Sequence, residues 1–108
     1  MTAPFVTELR TGPEVIVLGG GDGPVMHLRA QQAELWDMVR VDAPASLPVS
    51  AVKLAALEEF YPDGFVSDDF VVKVRGFEIL REEETLAASG VKDGSTLLLT
   101  NRRRRPVR

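Results

Sequence analysis

Apolar residues along this chain fall mostly in short runs with a period of two, separated by glycine and proline, with one longer stretch at helical spacing. Glu14 to Leu18 (EVIVL) is a short strand candidate. Gly19 to Pro24 (GGGDGP) is a loop, because clustered glycine tolerates positive φ and proline lacks a ladder donor. Val25 to Ala30 and Leu35 to Asp42 are two further strand candidates around AQQAE, and Val39 and Val41 alternate with polar neighbours as a half-buried strand should. Pro44 to Pro48 interrupts the strand. Val49, Val52, Ala56, Leu57 and Phe60 then recur at helical spacing, with Ser46 or Ser50 as candidate caps. Tyr61-Pro62-Asp63-Gly64 ends the helix, since proline cannot continue its hydrogen-bond ladder.

Beyond the helix, Phe70 to Arg75 is a strand turned at Gly76, and Glu78 to Leu80 a short partner. Thr85 opens a single helical turn that ends near Gly90. Asp93-Gly94 leads into a last strand, Ser95 to Thr100. Met1 to Pro13 has little periodicity and reads as a mobile arm. The order predicts an α+β fold, a mixed sheet of four to five strands packed on one helix, with an N-terminal extension. The expected core is Val39, Val41, Val52, Leu57, Val72, Val74, Leu86, Val91, Leu97 and Leu99.

The 108 residues suit one domain with one modest core. A hydrophobic content of 44% and a mean hydropathy near zero describe a soluble globular protein. No apolar run is long enough to span a membrane, and MTAPFVTELR lacks the layout of a secretory signal. The absence of cysteine excludes disulfides, thiol nucleophiles and cysteine-ligated metals, and fits a cytoplasmic protein. The net charge of −3 hides an asymmetry: the last seven residues hold five arginines and no acid. Residues 1–101 therefore carry 8 basic against 16 acidic side chains, a formal charge of −8. Such a body repels nucleic acid and favours basic protein partners.

The stretch FVVKVRGFEILREEETLAASGVKDGSTLLLTNRRRR, Phe70 to Arg105, resembles the second half of ubiquitin element by element. Thr85-Leu86 is similar to the family's Thr-Leu step after the short strand, Val91 to its buried aliphatic before the last turn, and Ser95-Thr96-Leu97 to the opening of its last strand. Val52-Lys53 is similar to the Val-Lys pair in its helix. The resemblance to ubiquitin-like proteins covers roughly Val25 to Arg104 and implies a β-grasp fold. It divides the chain into an arm over 1–24 with a possible extra strand through EVIVL, a ubiquitin-like domain over 25–101, and a basic tail over 102–108.

Candidate chemistry is sparse. A phosphate cradle at Gly19 to Gly23 needs converging N–H groups at a helix start and commonly a Lys-Ser/Thr pair, and neither is present. His27 is the only histidine and, without cysteine, makes no ordinary zinc site; it reads as a surface or edge residue. Asp68-Asp69 and Glu82-Glu83-Glu84 read as acidic surface loops. No nucleophile–base set is evident, so the chain is expected to be no enzyme, with no cofactor and no metal. If Val39 and Val41 face the helix, period two puts Trp36, Met38 and Arg40 on the opposite face. There they are either binding anchors or are covered by the N-terminal arm.

That open face is where ubiquitin displays its main recognition patch. The family's central apolar position on the third strand falls here at Lys73, and the matching position on the last strand at Thr100. The resemblance therefore implies a protein-binding face of Trp36, Met38, Arg40, Lys73 and Thr100 with a dedicated partner. The tail departs from the family: no glycine follows Gly94, and Arg105-Pro106 stands where ubiquitin has its paired glycines. Arg102, Arg103, Arg104 and Arg105 suit protein docking better than nucleic acid, since the run is short, carries no aromatics and extends from an acidic body. Residues Asn101 to Arg108 are expected to be disordered.

Two functions follow from the resemblance. One is a bacterial ubiquitin-like modifier, trimmed or not at its C-terminus, with activating-enzyme-like, conjugating-enzyme-like or peptidase partners; several such pathways serve phage defence. The other is a non-covalent interaction module of the YukD type associated with type VII secretion.

Overall fold

Val39 and Val41 set the phase of the sheet. The computed structural model describes residues 6–9 and 15–102. Its elements are β1 (Val6–Leu9), β2 (Val15–Leu18), β3 (Val25–Gln32), β4 (Asp37–Pro44), α1 (Val49–Phe60), β5 (Phe70–Val74), β6 (Phe77–Glu78) and β7 (Thr96–Asn101), with a 3-10 turn at Ser67–Asp69 before β5. The strands form one sheet in the order β1-β2-β4-β3-β7-β5-β6. β3 and β4 are an antiparallel hairpin, β3 and β7 are parallel at the centre, and β5 and β6 continue antiparallel.

Residues 25–101 supply five strands, as the periodicity implies. The sheet has seven because β2 pairs in parallel with β4 (Ile16↔Val41) and β1 pairs antiparallel with β2. EVIVL is thus a strand with an inward face: Ile16 and Leu18 are buried in the core. The mobile-arm reading of Met1 to Pro13 is corrected at Val6–Leu9, which is strand; the rest of that segment lies outside the described residues.

The helix occupies the residues that the periodicity assigns, and all ten predicted core residues are buried. Neither serine caps it. Pro48 is the N-cap in extended conformation, with no side-chain cap. The first helical N–H groups instead donate to the loop after β6, Val49 to the Glu84 carbonyl (2.9 Å) and Ser50 to that of Glu82 (2.8 Å). Ser46 accepts a bond from the Asp22 N–H in the glycine loop. A Cβ at Gly21 would lie 2.8 Å from Ser46 Oγ and 3.1 Å from the Leu47 side chain, so any larger residue would have to push these side chains aside.

Among the described residues Lys53 is the one charge in the core, 1% exposed. Its Nζ donates to both carboxylate oxygens of Glu82, at 2.9 and 3.0 Å. This corrects the reading of Glu82-Glu83-Glu84 as a free acidic loop: the Glu82 side chain neutralises the buried lysine while the Glu82 and Glu84 carbonyls cap the helix.

Candidate functional site

Strand alternation places Val72 and Val74 of β5, Leu97 and Leu99 of β7, Leu28 and Ala30 of β3, and Val39 and Val41 of β4 against α1. The residues between them form the outer face. One row crosses it as Glu78, Lys73, Leu98, Gln31 and Met38, and the next as Thr96, Arg29, Arg40 and Val15. Met38 and Arg40 are exposed on β4, as expected.

Trp36 is not on that face. The strand begins at Asp37, and Trp36 lies in the hairpin turn at φ 55, 87% exposed. The four residues between the paired Gln32 and Asp37 turn the chain with Trp36 in the left-handed region, a position that a tryptophan holds at some steric cost. Neither helix nor N-terminal strand covers it.

The structure brings three of the predicted residues together at the other end of the face. Lys73, Thr100 and Arg102, with Val71, Glu78 and Asn101, line a concavity of about 350 Å³. Met38 shares a row with Lys73 but stands three strands away, about 14 Å at the usual strand spacing. The predicted residues therefore form two groups: Met38 and Arg40 on β4, with Trp36 in the turn before it, and Lys73, Thr100 and Arg102 where the chain leaves the sheet.

Glu34 fixes that exit, and nothing in the sequence pattern marks it. From the β3–β4 turn its carboxylate accepts bonds from Thr100 Oγ1 (2.7 Å), Gln32 Nε2 (2.6 Å) and the Asn101 N–H (3.3 Å). Burial works to raise its pKa, but these bonds outweigh it and hold the carboxyl below its ordinary value. Burial, and then the charge of Glu34, push the Tyr61 hydroxyl upward. Arg102 is also held: its N–H donates to the Asp69 carbonyl (2.7 Å) and its Nε to that of Asp68 (2.9 Å). The expected disorder of Asn101 to Arg108 is thus corrected at Asn101, which ends β7, and at Arg102. Arg103, Arg104 and Arg105 lie outside the described residues.

His27 faces outward, with Nδ1 3.1 Å from Asp42 Oδ1. Among the described residues no group of three acidic or histidine side chains is arranged to hold a metal. No described helix is long and apolar enough to cross a membrane.

Solved structures match this sheet and helix at probability 1.00. The C-terminal ubiquitin-like domain of mouse tubulin-specific chaperone e superposes with a TM-score of 0.64 at 16% identity, over 82% of this chain and 97% of that one. Caldiarchaeum subterraneum ubiquitin gives 0.61 at 20%, over 77% and 100%. The fold is the ubiquitin-like β-grasp. A designed protein based on ubiquitin gives 0.60 at 22% identity, over 82% of this chain and all of its own. Neither a protein-family model nor a curated protein matches the sequence. Against a bare ubiquitin-like β-grasp, residues 15–18 add a parallel strand to β4, with β1 as the edge beyond it, and the outer face carries Lys73 and Thr100 where the ubiquitin resemblance implies apolar side chains.

Proposed function

We propose that this chain acts by presenting its outer sheet face and its C-terminal segment to other proteins, as a ubiquitin-like modifier of a bacterial ubiquitination-like conjugation pathway. The observation that carries the reading is the exit of β7. The strand ends beside the concavity of Lys73 and Thr100, and Arg102 is anchored through Asp68 and Asp69, so the sequence RRRPVR continues from a fixed residue. A partner that grips the concavity meets the start of the tail. Arg105-Pro106 stands where paired glycines would thread an activating enzyme, so a peptidase trims the tail before use. Phage defence is the setting in which several pathways of this kind operate. In this reading the chain is a substrate of enzymes and is not one itself, and it works in the cytoplasm.

One feature favours a second reading. Arg105-Pro106 stands where ubiquitin has its paired glycines, which suits a non-covalent module of the YukD type whose outer face alone binds a partner. Intact-mass spectrometry of the full chain, co-expressed with activating-enzyme, conjugating-enzyme and peptidase homologues, separates the two. A modifier yields a shortened chain and higher-mass adducts that a variant ending at Asn101 does not form. A chain that keeps its full mass and forms no adduct with active enzymes is the module.

A further inference from the structure

The outer face carries a cationic pair away from the tail. Arg29 on β3 stands directly opposite Arg40 on β4. The Arg29 N–H donates to the Ser95 carbonyl at 3.0 Å, on the side of β7, so its backbone groups point away from β4. The two arginines therefore form a non-hydrogen-bonded cross-strand pair, the closer kind, with Cα atoms about 4.5 Å apart. Like charges directly opposite destabilise a sheet.

Both side chains are exposed, and neither takes part in an ion pair among the described residues. Of the outward carboxylates, two are hydrogen-bonded elsewhere and a third lies across from another cation. Asp42 holds His27, Glu34 holds Thr100 and Gln32, and Glu78 stands opposite Lys73. Across the sheet the pair is flanked by uncharged residues, Thr96 on the β7 side and Val15 on the β2 side; along the strands Met38 and Leu98 lie in one adjoining row and the His27–Asp42 pair in the other. Met38 is 51% exposed.

We infer that the Arg29–Arg40 pair is the docking point for an acidic, partly apolar segment of a partner protein. Neighbouring carboxylates of that segment would bind the two guanidiniums, relieving their repulsion by charge-assisted hydrogen bonds, while its apolar side chains rest on Met38 and Leu98. Charge complementarity selects a short acidic peptide over nucleic acid: a long polyanion would also meet the net negative body, whereas a segment confined to this face does not. The inference rests on the reading of the outer face as a protein-recognition surface and names the chemistry of what it recognises.

The test uses the full chain and three probes: a synthetic peptide with an Asp-Glu cluster flanked by leucines, the same peptide with Asn and Gln in place of the acids, and a single-stranded DNA oligonucleotide of equal charge. Titration followed by amide NMR should shift signals in residues 28–31 and 38–41 with the acidic peptide, and raised salt should weaken binding. The Arg29→Gln/Arg40→Gln double variant should bind it at least tenfold more weakly, while Arg81→Gln, at an exposed arginine beyond β6, changes affinity less than twofold. Thermal unfolding should show the double variant to be at least as stable as the parent. No saturable binding of the acidic peptide, equal binding of the neutral peptide, an unchanged affinity of the double variant or a preference for DNA would each overturn the inference. Adduct formation in the co-expression experiment is independent of these outcomes. Adducts without peptide binding would sink this inference alone, and peptide binding without adducts would sink the modifier alone.

Discussion

On its inner face the sheet presents Leu28, Ala30, Val39, Val41, Val72, Val74, Leu97 and Leu99, all buried. On the outer face the same strands present His27, Arg29, Met38, Arg40, Lys73, Leu98 and Thr100. Alternate residues of one strand thus meet opposite demands. The inner set must fill a fixed volume against α1, so its chemistry is nearly uniform and its loss is costly. The outer set is not needed to make the fold. Its mixture of opposed arginines, a half-exposed methionine and a lysine in the position of an apolar anchor is therefore free of the demands of packing, and it is the part of the sheet on which the proposed function rests.

The largest test of this contrast lies at the charge buried among the described residues, Lys53. Glu82→Ala leaves Lys53 buried without its carboxylate and should cost about 3–5 kcal/mol in a denaturant titration, while Lys53→Met, which removes the charge with its partner's obligation, should cost far less. If Glu82→Ala were nearly neutral, the inner face would tolerate charge as the outer face does, and the contrast would fail. Leu97→Ala comes next, at about 2–5 kcal/mol; a loss within about 0.5 kcal/mol would remove Leu97 from the core.

The smallest effect is on the outer side, at Glu34. Its folded pKa is depressed, so its contribution is fully present above the ordinary value of 4.5 and is lost as pH falls through the lower folded value. Glu34→Gln should remove that part of the acid limb of stability and loosen the Asn101 amide in hydrogen exchange. An unchanged acid limb would show that the β7 exit does not depend on this carboxylate.

Much of the fold was legible in the sequence, and for a definite reason. The period-two pattern at Val39 and Val41 and the helical spacing from Val49 to Phe60 are local signals that burial enforces. The strand at EVIVL was legible as a strand, but its parallel pairing with β4 was not, because register between distant segments has no local signature. Trp36 was assigned to a strand that begins one residue later, since periodicity does not mark where a turn ends. Glu82 looked like one of three surface acids, and only the fold brings it to Lys53. At the candidate site Lys73, Thr100 and Arg102 proved adjacent. Nothing in the sequence marks Arg29, because its meaning comes from the residue across the strand and not from its neighbours in the chain.

β2 has a further consequence for the life of the protein in a crowded solution. Without it, β4 would offer eight residues of unpaired backbone, the kind of margin on which foreign strands assemble. With β2 in place over Arg40 to Asp42, that stretch of the margin is moved outward to the four residues of β1, and the opposite border carries the two-residue β6. The open backbone at either rim is thus shortened, and a strand arriving from solution finds less of it to pair with.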